Sequence, residues 1–295
     1  MSWKSIADMI VQSGDAQIAL VGAPMEAGSV TPGRCDLAPE IVRKTLRRFS
    51  TYDVETGKEL DLRILDAGDA DVRGVMPAEG FAPIEMAVSR CTVDHDLTIL
   101  LGGNNAVTRP GAHALGVPLD RVGLITLDAH FDLRETDQGP LNGNPIRCLL
   151  EDGLPGRNIC QIGLAPYANT SKMHRDARGA GIGVFTIADC KARGIVPVLE
   201  DALARIAHAD AIMIDFDIDV IDRSQCPGAP GARPGGMPVD MFFAAARYLA
   251  AEPRVKLVDL TEFDPSLDLG DITALTASRW ACEVLAGYAA RAEGR

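Results

Sequence analysis

Short apolar runs, each unbroken rather than alternating with polar residues, recur along this chain and leave few folds open to it. Residues 122–127, Val-Gly-Leu-Ile-Thr-Leu, are typical. A run of strand length that is apolar on both faces belongs in a parallel sheet covered from both sides. Comparable strand candidates occupy 18–22, 62–67, 97–101, 158–163, 183–186, 211–214 and 255–260. Helical patterns separate most of them, at 38–46, 83–91, 146–150, 173–179, 198–208, 241–251 and 274–292. This alternation predicts an α/β chain: a three-layer αβα sandwich around a central, mainly parallel sheet of about eight strands. No linker, repeat or low-complexity block interrupts it, so 1–295 reads as one domain. Its 47% hydrophobic content is ample for one large core.

The formal net charge of −12 argues against nucleic acid and anionic membranes as partners. No apolar stretch is long enough to cross a bilayer. Residues 1–5 lack the pattern of a signal peptide, so a cytoplasmic location is expected. The seven cysteines are scattered, with no CxxC among them, and read as reduced, mostly buried thiols. None of the five histidines is linked to a cysteine by a motif, which disfavours a nucleophilic thiol.

The run 122–127 ends in Asp128-Ala129-His130-Phe131-Asp132. In open α/β sheets, ligands bind beyond the carboxyl ends of the strands. While the chain stays extended, alternation puts Asp128, His130 and Asp132 on one side. Three such groups together are costly unless a divalent cation neutralises them. A second cluster, Asp215-Phe216-Asp217-Ile218-Asp219, follows 211–214. If Asp217 and Asp219 face the same cation, Asp215 lies deeper and supports them. Carboxylates with an imidazole suit Mn²⁺ better than Zn²⁺ or Fe²⁺. Many acids and few histidines favour two carboxylate-bridged ions able to hold a hydroxide between them. Acids at strand ends also cap helices or form surface pairs, so either cluster alone is weak. Two clusters on one sheet edge favour metal.

These residues resemble the ureohydrolases: arginase, agmatinase and formimidoylglutamase. Residues 128–132 look like the family's DAHxD motif. Residues 215–222, followed by Pro227-Gly228-Ala229-Pro230 and Gly235-Gly236, look like its S-x-D-x-D-x-x-D…PG…GG segment. Asp259-Leu260-Thr261-Glu262-Phe263-Asp264-Pro265 looks like its D-x-x-E-x-N-P segment, and Gly102-Gly103-Asn104-Asn105 sits where the family has GGDH. The resemblance covers nearly the whole chain. It is strongest to formimidoylglutamase, through 128–134, 142–147 and 163–170.

The resemblance implies an arginase-like fold, two Mn²⁺ ions and hydrolysis of a small amidine, N-formimino-L-glutamate, to glutamate and formamide. Asp128 and Asp217 would bridge both ions, His130 and Asp219 complete one site, and Asp132 the other. Glu262 would bind the cationic amidine, and Asp132 would pass a proton to the leaving nitrogen. On charge alone, Arg147 or Arg134 pairs with a substrate carboxylate. Relatives form trimers or hexamers, so a homo-oligomer is expected. Three positions depart from the family. Asn105 replaces a metal-binding histidine, which predicts a weaker ion there through its amide oxygen. Asn142 stands where arginases carry a proton-transfer histidine, in a position counted here as substrate-binding. Asn104 replaces an aspartate. The alternatives are a guanidino-acid or agmatine-type enzyme releasing urea, and a non-catalytic member with an impaired metal site.

Overall fold

The computed structural model describes residues 3–292. Met1 and Ser2, which open the stretch read for a targeting signal, and the last three residues of the 1–295 span lie outside the described residues. In chain order the strands are β1 (Ile10–Val11), β2 (Ile18–Ala23), β3 (Tyr52–Asp53), β4 (Lys58–Glu59), β5 (Ile64–Asp69) and β6 (Leu97–Gly102), then β7 (Val122–Leu127), β8 (Ile159–Leu164), β9 (Gly183–Thr186), β10 (Ala211–Asp217) and β11 (Val255–Thr261). The helices are α1 (Ala38–Thr45), α2 (Pro77–Asp94), α3 (Thr108–His113), α4 (Pro145–Asp152) and α5 (Ser171–Ala180), then α6 (Ile187–Arg193), α7 (Ile195–Arg205), α8 (Val239–Ala250) and α9 (Ile272–Ala290).

Nine strands form one sheet in the order β1-β5-β2-β6-β11-β10-β7-β8-β9. Every pairing in it is parallel. The sheet is therefore one strand wider than the expected eight. The extra strand is β1, a two-residue edge strand too short to show a hydrophobic pattern. A small antiparallel hairpin, β3 with β4, stands apart.

The pleat splits the apolar runs into two cores. On β2 and β6, Ile18, Leu20, Leu97, Ile99 and Leu101 face a core shared with α1 and α6 to α9. Their neighbours Ala19, Val21 and Leu100 face the other, shared with α2 to α5. This is why the runs lack polar alternation: each face of the sheet meets helices rather than water. Phe216 shows it best, packing edge-on between Phe242 of α8 and Trp280 of α9, with ring centroids 5.4 Å from each.

Three helices differ from the sequence expectation. The helix read as 83–91 begins at Pro77 and carries Pro83 inside it. Pro77 supplies the preset first-turn φ, and Pro83 removes only one backbone bond. The short α3 and α6 were not anticipated. α6 is opened by a capping box in which Thr186 and Asp189 satisfy each other's backbone N–H. Among the described residues no helix is long and apolar enough to cross a membrane.

Candidate metal centre

The strands β6, β11, β10 and β7 are consecutive neighbours in the middle of the sheet. Each delivers site residues just past its carboxyl end: Asn105 after β6, Glu262 after β11, Asp217 and Asp219 at and beyond β10, and Asp128, His130 and Asp132 after β7. The chain first builds the β5-β2-β6 side, jumps to β7, β8 and β9, and then fills the gap with β10 and β11. The site lies where strand order reverses, as expected for ligand crevices in open α/β sheets.

The acids do not converge by staying extended. Asp128 Oδ1 accepts the backbone N–H of His130 at 2.6 Å, and Asp217 Oδ1 accepts that of Asp219 at 2.9 Å. Each motif thus leaves its strand through a turn closed by an aspartate, Asp128 or Asp217, which folds the side chain two residues on back toward it. The expected extended alternation of 128–132 gives way to this turn because the sheet ends at Leu127. Asp132 and Glu262 both hold a left-handed backbone, with φ of 51° and 61°. Such conformations cost about 1–3 kcal/mol in non-glycine residues and gather at functional sites.

Asp128, Asp132, Asp217, Asp219 and Glu262 are all buried. An imidazole sits among them: His130 Nδ1 lies 3.0 Å from Asp219 and 3.4 Å from Asp128. The negative charge of Asp219, with the hydrogen bonds that His130 donates to both aspartates, lifts His130 to about 12. Burial pushes Asp128 up to about 6 and, with repulsion from Asp219 and Asp128, drives Asp217 well upward. Burial also raises Asp132, which feels Asp128 as well. Asp219 is the exception: burial opposes its charge, but His130 holds it below the ordinary value. A pocket that concentrates carboxylates this far from solvent fits a divalent cation. Ligand atoms of Asp128, His130 and Asp219 lie within 4.8 Å of one another, compatible with a single ion. The 228–236 loop closes over them so tightly that a Cβ at Gly231 would overlap the Asp219 carboxylate. Asp215 and Asp259 pair across β10 and β11 beneath the cluster, both fully buried. Burial raises both, Asp259 to about 7, and the charge of Asp259 lifts Asp215 further.

The cavity above the cluster is lined by His130, Asp132, Asp217, Asp219 and Glu262, and by Arg134, Asn142, Asn169 and Arg233. Glu262 Oε1 accepts the backbone N–H of Asn105 at 2.7 Å and the Asn142 amide at 3.0 Å. Burial lifts Glu262 to about 7. Asn142 also accepts the Val30 N–H at 2.8 Å, so both ends of its amide serve to fix Glu262.

Two sequence expectations change. Asn105 was expected to offer its amide oxygen to a metal. That oxygen instead accepts the hydroxyls of Thr108 and Thr261, at 2.7 and 3.1 Å, and its NH₂ donates to Asp132 at 2.7 Å. Arg147 was expected to meet a substrate carboxylate. It sits on α4 away from the cavity, holding Asp176 at 2.6 Å and the Leu133 carbonyl at 3.1 Å. Asn169 and Arg233 were not singled out. Asn169 accepts the Phe131 N–H and donates to the Ala129 carbonyl, pinning the 128–132 turn. Its only signal in the sequence was its place in the 163–170 resemblance.

The family model for arginase matches residues 16–287. The chain belongs to the arginase family. Among similar family members is the formimidoylglutamase of Halalkalibacterium halodurans, 34% identical over 91% of this chain and 85% of that one. The crystal structure of Bacillus subtilis formimidoylglutamase superposes with a TM-score of 0.91 at 27% identity, covering 98% of this chain and 95% of that one. A Trypanosoma cruzi formiminoglutamase solved with Mn²⁺ shares the fold, with a TM-score of 0.89 at 23% identity over 98% of this chain and 100% of that one. The segments that resemble the family's motifs lie at the four central strand ends.

Proposed function

We propose that this arginase-family chain is a manganese-dependent hydrolase of linear amidines whose substrate is N-formimino-L-glutamate. The carrying observation is the meeting, over one cavity, of a buried carboxylate–imidazole set with a separately held carboxylate, Glu262. The formimidoylglutamase relatives support the choice of substrate.

Asp128, His130 and Asp219 would hold one ion, and Asp132 would hold a second, with Asp128 and Asp217 serving both. Manganese in such a donor set supplies a water acidic enough to react at neutral pH. The chain's own groups do the rest. Glu262, fixed by Asn105 and Asn142, accepts the N–H groups of the cationic amidine and aims its carbon at the cluster. Asp132, oriented by the Asn105 amide at its Oδ2, takes a proton from the added water oxygen and hands it to the departing nitrogen. Water's oxygen joins the formimino carbon, the bond from that carbon to the glutamate nitrogen breaks, and the nitrogen takes the proton. Formamide and glutamate leave.

A product assay on manganese-loaded protein tests this. Formamide and glutamate from N-formimino-L-glutamate are expected. Urea from agmatine or a guanidino acid, without formamide, would move the substrate elsewhere in the family; no product from any of these substrates would leave a non-catalytic member.

A further inference from the structure

We propose that Arg233 is a specificity-determining residue, which together with Arg134 gives the cavity two cationic groups for the two carboxylates of a dicarboxylate amidine. The inference rests on the amidine-hydrolase reading and goes beyond it by naming what recognises the far end of the substrate.

The lower wall of the cavity is acidic, and its rim carries two arginines. Arginines elsewhere in the chain hold carboxylates, as Arg109 holds Asp152, Arg121 holds Asp210 and Arg254 holds Glu252. Arg233 does not. Its Nη1 bonds to the carbonyls of Gly231 and Ala232, at 2.6 and 3.2 Å, which fix its direction without neutralising its charge. Its Nε and Nη2 remain for an anion. The Arg134 guanidinium makes no ion pair among the described residues, and the side chain lies across Gly143, where a Cβ would meet its Cδ at 2.7 Å.

The two arginines reach the cavity from different loops. Arg134 stands two residues past Asp132, on the side of Asn142 and Glu262. Arg233 stands two residues past Gly231, whose backbone packs against Asp219 and His130. Cations on separate walls suit two separated anions better than one. N-formimino-L-glutamate has a carboxylate beside its amidine nitrogen and a second at the end of its side chain. We assign the first to Arg134, near the group that receives the amidine, and the second to Arg233. Agmatine has no carboxylate and would leave both cations facing its tail.

Three substrates separate the two carboxylates: N-formimino-L-glutamate, N-formiminoglycine with the near one alone, and 4-formiminobutyrate with the far one alone. In manganese-loaded Arg233→Gln, KM for formiminoglutamate should rise roughly 10- to 100-fold, in line with loss of a charged hydrogen bond, while kcat changes little. The advantage of formiminoglutamate over formiminoglycine should vanish in that variant and survive in Arg134→Gln, and Arg233→Lys should restore part of it. Because Arg233 is exposed, the melting temperature should hold. Glutarate binding, measured by calorimetry, should weaken in both variants, a readout independent of turnover. An unchanged formiminoglutamate-to-formiminoglycine ratio in Arg233→Gln overturns the proposal. Wild-type protein inert on all three compounds instead overturns the amidine-hydrolase reading beneath it.

Discussion

Asn105 donates its amide N–H to Asp132 at 2.7 Å while its oxygen is held by the hydroxyls of Thr108 and Thr261. Asn105, where the family resemblance would place a metal-binding histidine, therefore orients a neighbouring acid. Its backbone N–H simultaneously anchors Glu262 at 2.7 Å.

Removing the side chain tests that role. Asn105→Ala should lower affinity for the ion beside Asp132 by about 10- to 100-fold, the usual cost of losing a group that orients a ligand. The ion held by Asp128, His130 and Asp219 should be little affected. Calorimetric titration of manganese into metal-free protein reads both steps. Dialysis of wild-type protein should strip the ion beside Asp132 first, and equal retention of two ions would contradict this.

Metal removal should also destabilise the fold, because the buried acids lose their counter-charge. Saturating manganese at about 100 times its Kd contributes roughly 2.7 kcal/mol. For a chain of this size that corresponds to roughly 4–5 °C in melting temperature. Scanning calorimetry with chelator, then with manganese restored, checks it; a melting temperature indifferent to manganese would count against a metal centre.

Glu262→Gln keeps the shape and the hydrogen bonds from Asn105 and Asn142 but removes the charge that meets the amidinium. We expect a loss of about 100-fold or more in kcat/KM with manganese content intact, in the range seen when one preorganised electrostatic contact is removed. Near-normal turnover would show that the amidine binds elsewhere.

Phe216 sits between Asp215 and Asp217 in sequence but points into the opposite core, against Phe242 and Trp280. Phe216→Ala should destabilise by about 3–5 kcal/mol. Because β10 would settle into the cavity, Asp217 should shift and metal affinity fall with it. Chemical denaturation paired with a manganese titration separates the two effects.

Away from the site, Asp152 ties Arg109 at 2.7 Å and His113 at 2.9 Å, joining α4 to α3. Burial alone would raise this carboxyl, but the hydrogen bonds from Arg109 and His113 hold it below its ordinary value. A depressed carboxylate stabilises above the unfolded pKa of about 4, and that stability is lost as pH falls through the folded value. Asp152→Asn should lower stability at pH 7 and flatten the fall below pH ~4. Equal slopes in wild type and variant would contradict it.

How much of this could be read from the chain depends on the range of the forces involved. The central strands were legible because a strand covered on both faces must be apolar throughout, and β7 and β9 match their sequence-predicted bounds. β1, with two residues, was not, since its place is set by pairing with β5 and not by its own pattern. Residue type and position also exposed the two acid clusters, because so many carboxylates at strand ends need an explanation wherever they fold.

Direction and partnership were not legible. Whether Asn105 turns its oxygen or its nitrogen toward Asp132 is decided by hydroxyls from Thr108 and from Thr261, far along the chain. Whether Arg147 or Arg134 faces the cavity is decided by Asp176 on α5, which claims the first and leaves the second lining the cavity. The sequence by itself determined a doubly covered parallel sheet with acids at its carboxyl edge, since local patterning and the need to bury apolar surface suffice for that. Only tertiary structure decided which acid meets which amide or guanidinium, because those choices are hydrogen bonds and ion pairs between segments that the fold alone brings within 3 Å.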